Sequence, residues 1–282
     1  MPTRTSPTAR QERLGYELRR LRDEAGMTAR EAAALLDVNP IQMSQIESGR
    51  SGLSEVRLRR LAGFYGCGDP TLIDALVKMA VERHRGWWED FRGILPPAFH
   101  DLAEFEHWAT YLRSLEIPHI PGLLQTEDYA RAVFSYVRPE LSPEDVDARV
   151  AHRMGRRVAL DKDDPPEFSP VIHEAALRIM VGTRKTANAQ LLYLLDLSEH
   201  PGVTVRIIPF SLEGFGGAGN SMYYVGSPVA KLDTVLMNGA SGSAVNTEPQ
   251  LWKYRSILDK AQESALGPAE SRDMIHRIAE EL

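Results

Sequence analysis

The residues whose types and spacing suggest chemistry are few, and each falls short of a site. Gly214, Gly216 and Gly219 satisfy G-x-G-x-x-G, a spacing that lets backbone approach a pyrophosphate when a helix N-terminus follows. Here SMYYVG follows and reads as a strand, so the segment is expected to be a flexible loop or hairpin connection, one able to cover a ligand. His173-Glu174 opens like a zinc-protease motif, but Leu177 stands where the second histidine belongs. His100, His107, His119 and His152 share no metal-ligand spacing, and no G-x-S-x-G surrounds Ser241 or Ser243. Cys67 is the single cysteine and can build neither a disulfide nor a thiolate metal cage. The expectation is a chain with no catalytic residue, no metal and no cofactor. An enzyme remains the reading to exclude, and its check is whether folding gathers His173, Glu174 and Asp196 into one pocket.

Arginine is the other chemically pointed residue. The 282-residue chain has a net charge of -6, but the charge is uneven. Residues 1–66 hold 11 Lys+Arg against 8 Asp+Glu, net +3, which leaves 22 against 31, net -9, for the rest. Every basic residue of the first part is arginine, whose forked donors suit phosphate and guanine. Nucleic-acid contact is therefore expected at the front, and another task at the back.

Positioning those arginines falls to short helices. Hydrophobic residues at 43% and charged residues at 26% describe a folding globular chain. No uncharged apolar run of about 18 residues exists, and MPTRTSPTARQER has no apolar core. No membrane association and a cytoplasmic location are expected. Leu14, Leu18, Leu21 and Ala25 form one stripe of a first helix ended by Gly26. Thr28 with Glu31 reads as a capping box for a second helix containing Ala32, Ala33, Leu35 and Leu36. After the Asp37-Val38 turn, Asn39 caps a third helix with Pro40 at its first position, Met43 and Ile46 inward, and Gly49 at its end. A fourth helix from Ser54 and a fifth from about Asp69 complete an all-α bundle.

The stretch LRRLRDEAGMTAREAAALLDVNPIQMSQIESGR resembles the lambda repressor/Cro (XRE) class of helix-turn-helix, with Thr28, Ala33, Val38, Ile46, Glu47 and Gly49 in register. The resemblance implies double-stranded DNA as partner, with a recognition helix at about 39–48 in the major groove. It implies that Pro40, Ile41, Gln42 and Gln45 face bases, the two glutamines being able to read adenine and Ile41 a thymine methyl. Asn39, Ser44 and Arg50 are placed for phosphates, as are Thr28 and Arg30 at the start of the second helix. It also implies an internal ion pair between Arg22 and Glu47, which keeps Glu47 off the DNA. Two departures stand out. Ala29 occupies the position where this class commonly has a glutamine, and Pro40 and Ile41 replace residues that are often polar, so either the affinity per domain is modest or dimerisation and DNA shape carry more of it.

Beyond the fifth helix the chain changes character. VERHRGWWEDFRGILPPAF reads as a joint, with Trp87 and Trp88 expected to be buried between the two domains rather than to form an interaction patch. Phe99, Leu102, Phe105, Trp108 and Leu112 predict an amphipathic helix, Thr126 caps another, and Ser142-Pro143-Glu144 opens a longer one towards Leu160. FSPVIHEAAL, VTVRIIPF, NSMYYVG and LDTVLMN read as strands, with QLLYLLDLSEH as a helix between the first two and a βαβ unit in consequence. Helices at 248–265 and 269–281 close the chain. PGLLQTEDYA, HEAALR and HPGVTVRIIPF resemble the uncharacterised domain that follows this helix-turn-helix in many actinobacterial regulators. The expected organisation is a disordered arm at 1–9, a helix-turn-helix domain at 10–83, a linker at 84–96 and an α/β (α+β) regulatory or interaction domain at 97–282.

The expectation is a sequence-specific transcriptional regulator, a homodimer whose back half dimerises and senses a small-molecule effector or small protein partner. Two alternatives stand beside it: a protein-interaction or antitoxin-like factor with weak DNA binding, and an enzyme with a DNA-targeting module.

Overall fold

Short polar residues set the start of each early helix. The computed structural model describes residues 7–82, 86–136, 139–216, 221–237, 244–245 and 247–282. The chain divides into two units, Met1–Gly86 and Trp87–Leu282. In the first, Thr8, Thr28, Asn39, Ser54 and Asp69 each accept a hydrogen bond from the N–H three residues on, which satisfies donors that a helix start leaves orphaned. They open α1 (Ala9–Glu24), α2 (Ala29–Leu35), α3 (Pro40–Glu47), α4 (Glu55–Phe64) and α5 (Pro70–Val81). Of the arm expected at 1–9, residues 1–6 lie outside the described residues, and Thr8 and Ala9 begin α1.

Leu18, Met43, Ile46, Leu58, Leu61, Leu72 and Leu76 form the buried centre of this bundle; each fully buried leucine contributes about 1.5–3 kcal/mol relative to exposure. The face of α1 differs from the apolar stripe expected. Leu18 and Leu21 are buried, Leu14 is half-buried and Ala25 is exposed at the C-cap, while Arg13 and Glu17 lie in the interior as an ion pair of 2.5 Å. One turn of helix separates the two, so their charges meet with little loss of side-chain freedom.

The second unit is built on one six-stranded sheet in the order β3-β2-β1-β4-β5-β6. Strands β1 (Tyr111–Glu116), β2 (Glu167–His173) and β3 (Arg206–Ile208) run parallel. Strands β4 (Met222–Gly226), β5 (Thr234–Met237) and β6 (Ala244–Val245) continue it antiparallel. Helices α6 (Pro97–Trp108), α7 (Glu127–Ser135), α8 (Pro143–Gly155), α9 (Val158–Asp161), α10 (Glu174–Arg178), α11 (Arg184–Leu197), α12 (Glu248–Ser264) and α13 (Pro268–Glu281) complete it. The architecture is therefore mixed, a five-helix bundle followed by a larger α/β unit. The unit β2–α11–β3 is the expected βαβ. The central strand β1 replaces the end of the expected amphipathic helix: Leu112 sits four residues after Trp108 in helical register, yet the helix stops at Trp108 and Leu112 enters the sheet fully buried. Leu115, Val171, Ile208, Met222, Tyr224 and Val235 form a core with Leu251, Leu258 and Ala261 of α12.

The segment expected as a linker at 84–96 carries structure of its own in this unit. Trp87–Phe91 is a 3-10 turn packed on α6 and α8. Trp88 is buried, with its ring 5.2 Å from His107, and Trp87 lies 5.0 Å from the ring of His152. His152 is 1% exposed and also meets Phe91 and Phe99, each at 5.3 Å. Burial, then the charge of Arg156 and the neighbouring His100, push its pKa down to about 3. Glu106 holds Arg156 through two bonds, 2.8 and 2.6 Å, and accepts a third at 2.8 Å from the Tyr223 hydroxyl.

The folded pKa of His152 lies below its unfolded value of about 6.5, so the unfolded chain takes up the proton first. Its contribution is fully present above pH 6.5 or so and is lost as pH falls towards 3. Between pH 7 and 5 it should cost about 2 kcal/mol of stability. His152→Phe, which keeps a ring among the aromatics, should remove that part of the pH dependence. Urea unfolding at the two pH values checks this, and an unchanged pH slope in the variant contradicts it.

Candidate nucleic-acid interface

Helix α3 is presented by what lies beneath it. Met43 (0% exposed) and Ile46 (4%) face the bundle, which leaves Pro40, Ile41 and Ser44 exposed and Gln42 and Gln45 half-buried on the opposite side. Ile41 is 71% exposed, a large apolar side chain held in water at the helix start. Asn39 caps the helix, its Oδ1 accepting from the Gln42 N–H at 2.8 Å. The α2–α3 turn passes through Asp37 at φ 55°, a left-handed conformation that aspartate tolerates better than branched residues.

Two glycines bring α3 onto α1. A Cβ on Gly15 would lie 2.5 Å from the carbonyl oxygen of Glu47, and one on Gly49 would lie 2.7 Å from the backbone of Gln11. Gly49 also has φ 73°, so it both ends the helix and permits the close approach. Arg22 then ties the helix ends together: its Nε donates to Glu47 Oε1 at 2.6 Å, its Nη2 to Oε2 at 3.0 Å and its Nη1 to the Met27 carbonyl at 2.7 Å. The bond from Glu47 raises the Arg22 pKa against the effect of burial, and burial beside Glu47 pushes the Tyr65 hydroxyl up to about 12.

The arginines fall into two groups. Arg10, Arg13, Arg19, Arg20, Arg22 and Arg59 are in ion pairs within this unit. Among the described residues Arg30, Arg50, Arg57 and Arg60 have none, and all four are exposed; Arg60 lies over the Phe64 ring at 5.5 Å. Arg30 sits in the first turn of α2, Arg50 just after α3, and Arg57 in the first turn of α4, where the Ser54 side chain accepts its N–H. A cation at a helix N-terminus opposes the helix dipole by about 0.3–1 kcal/mol, so the positions of Arg30 and Arg57 favour an anionic partner over stability. Arg57 was absent from the sequence expectation; the mismatch between its charge and its place after the Ser54 cap was the available signal. At Thr28 the hydroxyl and the N–H both bond the Glu31 carboxylate at 2.7 Å, which lowers the Glu31 pKa. Of the pair expected to meet phosphate there, Arg30 is the one with uncommitted donors.

The other candidates are spent on structure. His173 Nδ1 accepts from the Ala175 N–H, capping α10, and its ring stacks on Phe215 at 5.4 Å. Glu174 bonds Arg178 at 2.7 Å and the Phe210 N–H at 2.8 Å, and Asp196 is exposed on α11. Gly214 and Gly216 precede strand β4 and no helix, while Gly219, Ser241 and Ser243 lie outside the described residues. Among the described residues no group of histidine, cysteine and carboxylates has the geometry of a metal site, and no helix is long and apolar enough to cross a membrane.

A family model described as a helix-turn-helix domain matches residues 13–76, the stretch that contains this interface. Residues 13–76 are thus a helix-turn-helix domain, a kind of domain associated with DNA binding. A second model, described as a domain of unknown function (DUF5753), matches residues 99–277, and the chain belongs to that family. No curated protein and no solved structure matches the chain.

The contact of α1 with α3 leaves no room for a methyl group. Gly15→Ala should therefore destabilise the first unit by about 1–3 kcal/mol and weaken DNA binding to the same degree for every DNA sequence. Urea unfolding followed by circular dichroism checks the first part; an unchanged midpoint would show that the two backbones have slack.

Proposed function

We propose that the protein is a sequence-specific, DNA-binding transcriptional regulator of the lambda repressor/Cro (XRE) kind. Helix α3 enters the major groove; Gln42 and Gln45 read base edges, and Ile41 with Pro40 packs against thymine methyl groups. Arg30, Arg50, Ser44 and Asn39 contact phosphates, with Thr28 holding the α2 end and Arg57 as an added contact. The observation that carries this reading is the surface of α3 with Ile41 and Ser44 exposed and Gln42 half-buried, together with Arg30, Arg50 and Arg57, which are exposed and have no ion pair among the described residues. The reading gives the chain no catalytic step and a cytoplasmic location, which the lack of a membrane-length helix among the described residues accommodates.

The protein acts as a homodimer on two-fold-related half-sites, because one short helix supplies few base contacts. The second unit dimerises and senses an effector or protein partner. Equilibrium sedimentation at DNA-binding concentrations should give a dimer, and a monomer there would contradict this part.

Selection from a random DNA library with the purified chain should return a two-fold-related motif, and Gln42→Ala/Gln45→Ala should abolish it. Gln42→Ala alone should cost about 1–3 kcal/mol per half-site at one base position, whereas Arg50→Ala should weaken all sequences alike and lower the salt slope by about 1. Equal effects of the two single changes on every sequence would overturn the assigned roles. No motif with wild type, and binding insensitive to salt, would favour the interaction-factor reading.

A further inference from the structure

Four arginines lie at the end of α8 and just beyond it, and they are compensated unequally. Arg156 is neutralised by Glu106. Arg149, Arg153 and Arg157, one helical turn apart, have no carboxylate within 4.0 Å among the described residues. Each instead lies over an aromatic face: Arg149 over Phe99 at 5.0 Å, Arg153 over Phe134 at 4.5 Å and Arg157 over Tyr193 at 5.0 Å.

Arg153 and Arg157 converge on one residue. Arg153 Nη1 donates to Gln125 Oε1 at 2.5 Å and Arg157 Nη2 donates to the Gln125 carbonyl. The Gln125 amide is itself fixed by donating to the Ile120 carbonyl at 2.7 Å. Arg157 Nε is buried with no acceptor among the described residues. The turn at Gly122 presses in from the side, since a Cβ there would come within 3.5 Å of Arg153 Nε and 3.0 Å of Arg156 Nη1. Burial and the charge of Arg156 drive the Arg153 pKa down to about 9, and burial with the charge of Arg153 lowers that of His119. Glu106 and the buried Glu116 act on Arg153 as opposing charges but lie beyond ion-pair distance of it, and Glu106 is already held by Arg156; half-buried guanidinium groups with no carboxylate in direct contact are costly, and an anion relieves the cost.

The place fits a ligand site. Gly122 and Gln125 belong to the segment leaving the C-terminal end of β1, a strand parallel to β2, and open α/β sheets take ligands outside the carboxyl ends of their parallel strands.

We propose that Arg153 and Arg157, held by Gln125 and the Gly122 turn, bind the oxyanion of a small metabolite, a phosphate or a carboxylate. This deepens the effector-sensing half of the proposed function and rests on that reading only for its consequence at DNA. Forked N–H donors match either oxyanion, and the anion completes the donors left over on both guanidinium groups.

The test is thermal unfolding of the full chain at constant ionic strength with inorganic phosphate, acetate or chloride. At tenfold excess over Kd, phosphate or acetate should raise Tm by about 3–5 °C with saturation, and chloride should not. Arg157→Gln should abolish the rise. Arg131→Gln, which removes an exposed partner of Asp147, should keep it. Arg153→Gln should also abolish it; should that variant not fold, Arg157→Gln and the broadening of the phosphorus resonance of inorganic phosphate by wild type decide. No saturable rise with either anion, or an equal rise in Arg157→Gln, would overturn the site. Anion binding that leaves affinity for the selected DNA unchanged would keep the site and overturn only the effector reading.

Discussion

The closeness of α1 to α3 governs the first unit. With glycine at positions 15 and 49, two backbones meet at a separation that any side chain would forbid, and this depth lets Met43 and Ile46 reach the bundle centre while Ile41 and Ser44 stay outside. Arg22 and Glu47 then fix the angle, because two parallel bonds between planar groups resist rotation more than a single contact does. The recognition surface proposed for α3 needs this stiffness, since base edges reward donors held within fractions of an ångström. The polar side of α3 is thus a consequence of the apolar and ionic side.

The second unit depends in a comparable way on β1. It pairs parallel with β2 and antiparallel with β4, so it joins the part built from crossover helices to the part built from adjacent strands. Its polar neighbours follow the same division. At its start Tyr111 and Tyr224 both donate to the fully buried Asp233 at 2.7 Å, and beyond its end the chain turns towards Gln125 and the arginines of α8. The buried Glu106–Arg156 pair is braced by Tyr223 from β4, so sheet and helices share one network.

How much of this was legible depends on the range of each signal. Helix starts were readable because capping acts over three residues: Thr28, Asn39, Ser54, Asp69 and Thr126 all cap as their sequences indicate. The closing helices and β2 to β5 were readable from runs of branched residues between Gly, Pro and Asn. Strand β1 was not, because Leu112 satisfies helical spacing from Trp108 and only its neighbours in the sheet, distant in sequence, decide otherwise. The Arg13–Glu17 pair was hidden for a related reason, as two charges on a helix read as a solvated face until tertiary packing covers them. In the interface, α3 and its flanks were legible through family spacing, whereas Arg57 emerged only once the pairing of the other arginines was visible.

That pairing bears on how the protein finds its target. A count of charges assigns the front of the chain a net +3, but most of its guanidinium groups are already turned towards carboxylates of the same unit. Few remain to displace counterions from a duplex, and affinity for arbitrary DNA scales steeply with that number. For the regulator proposed above this means little time parked on the rest of the genome. Occupancy of a correct site would then depend less on copy number lost to competing DNA and more on how long the surface of α3 holds once it is seated.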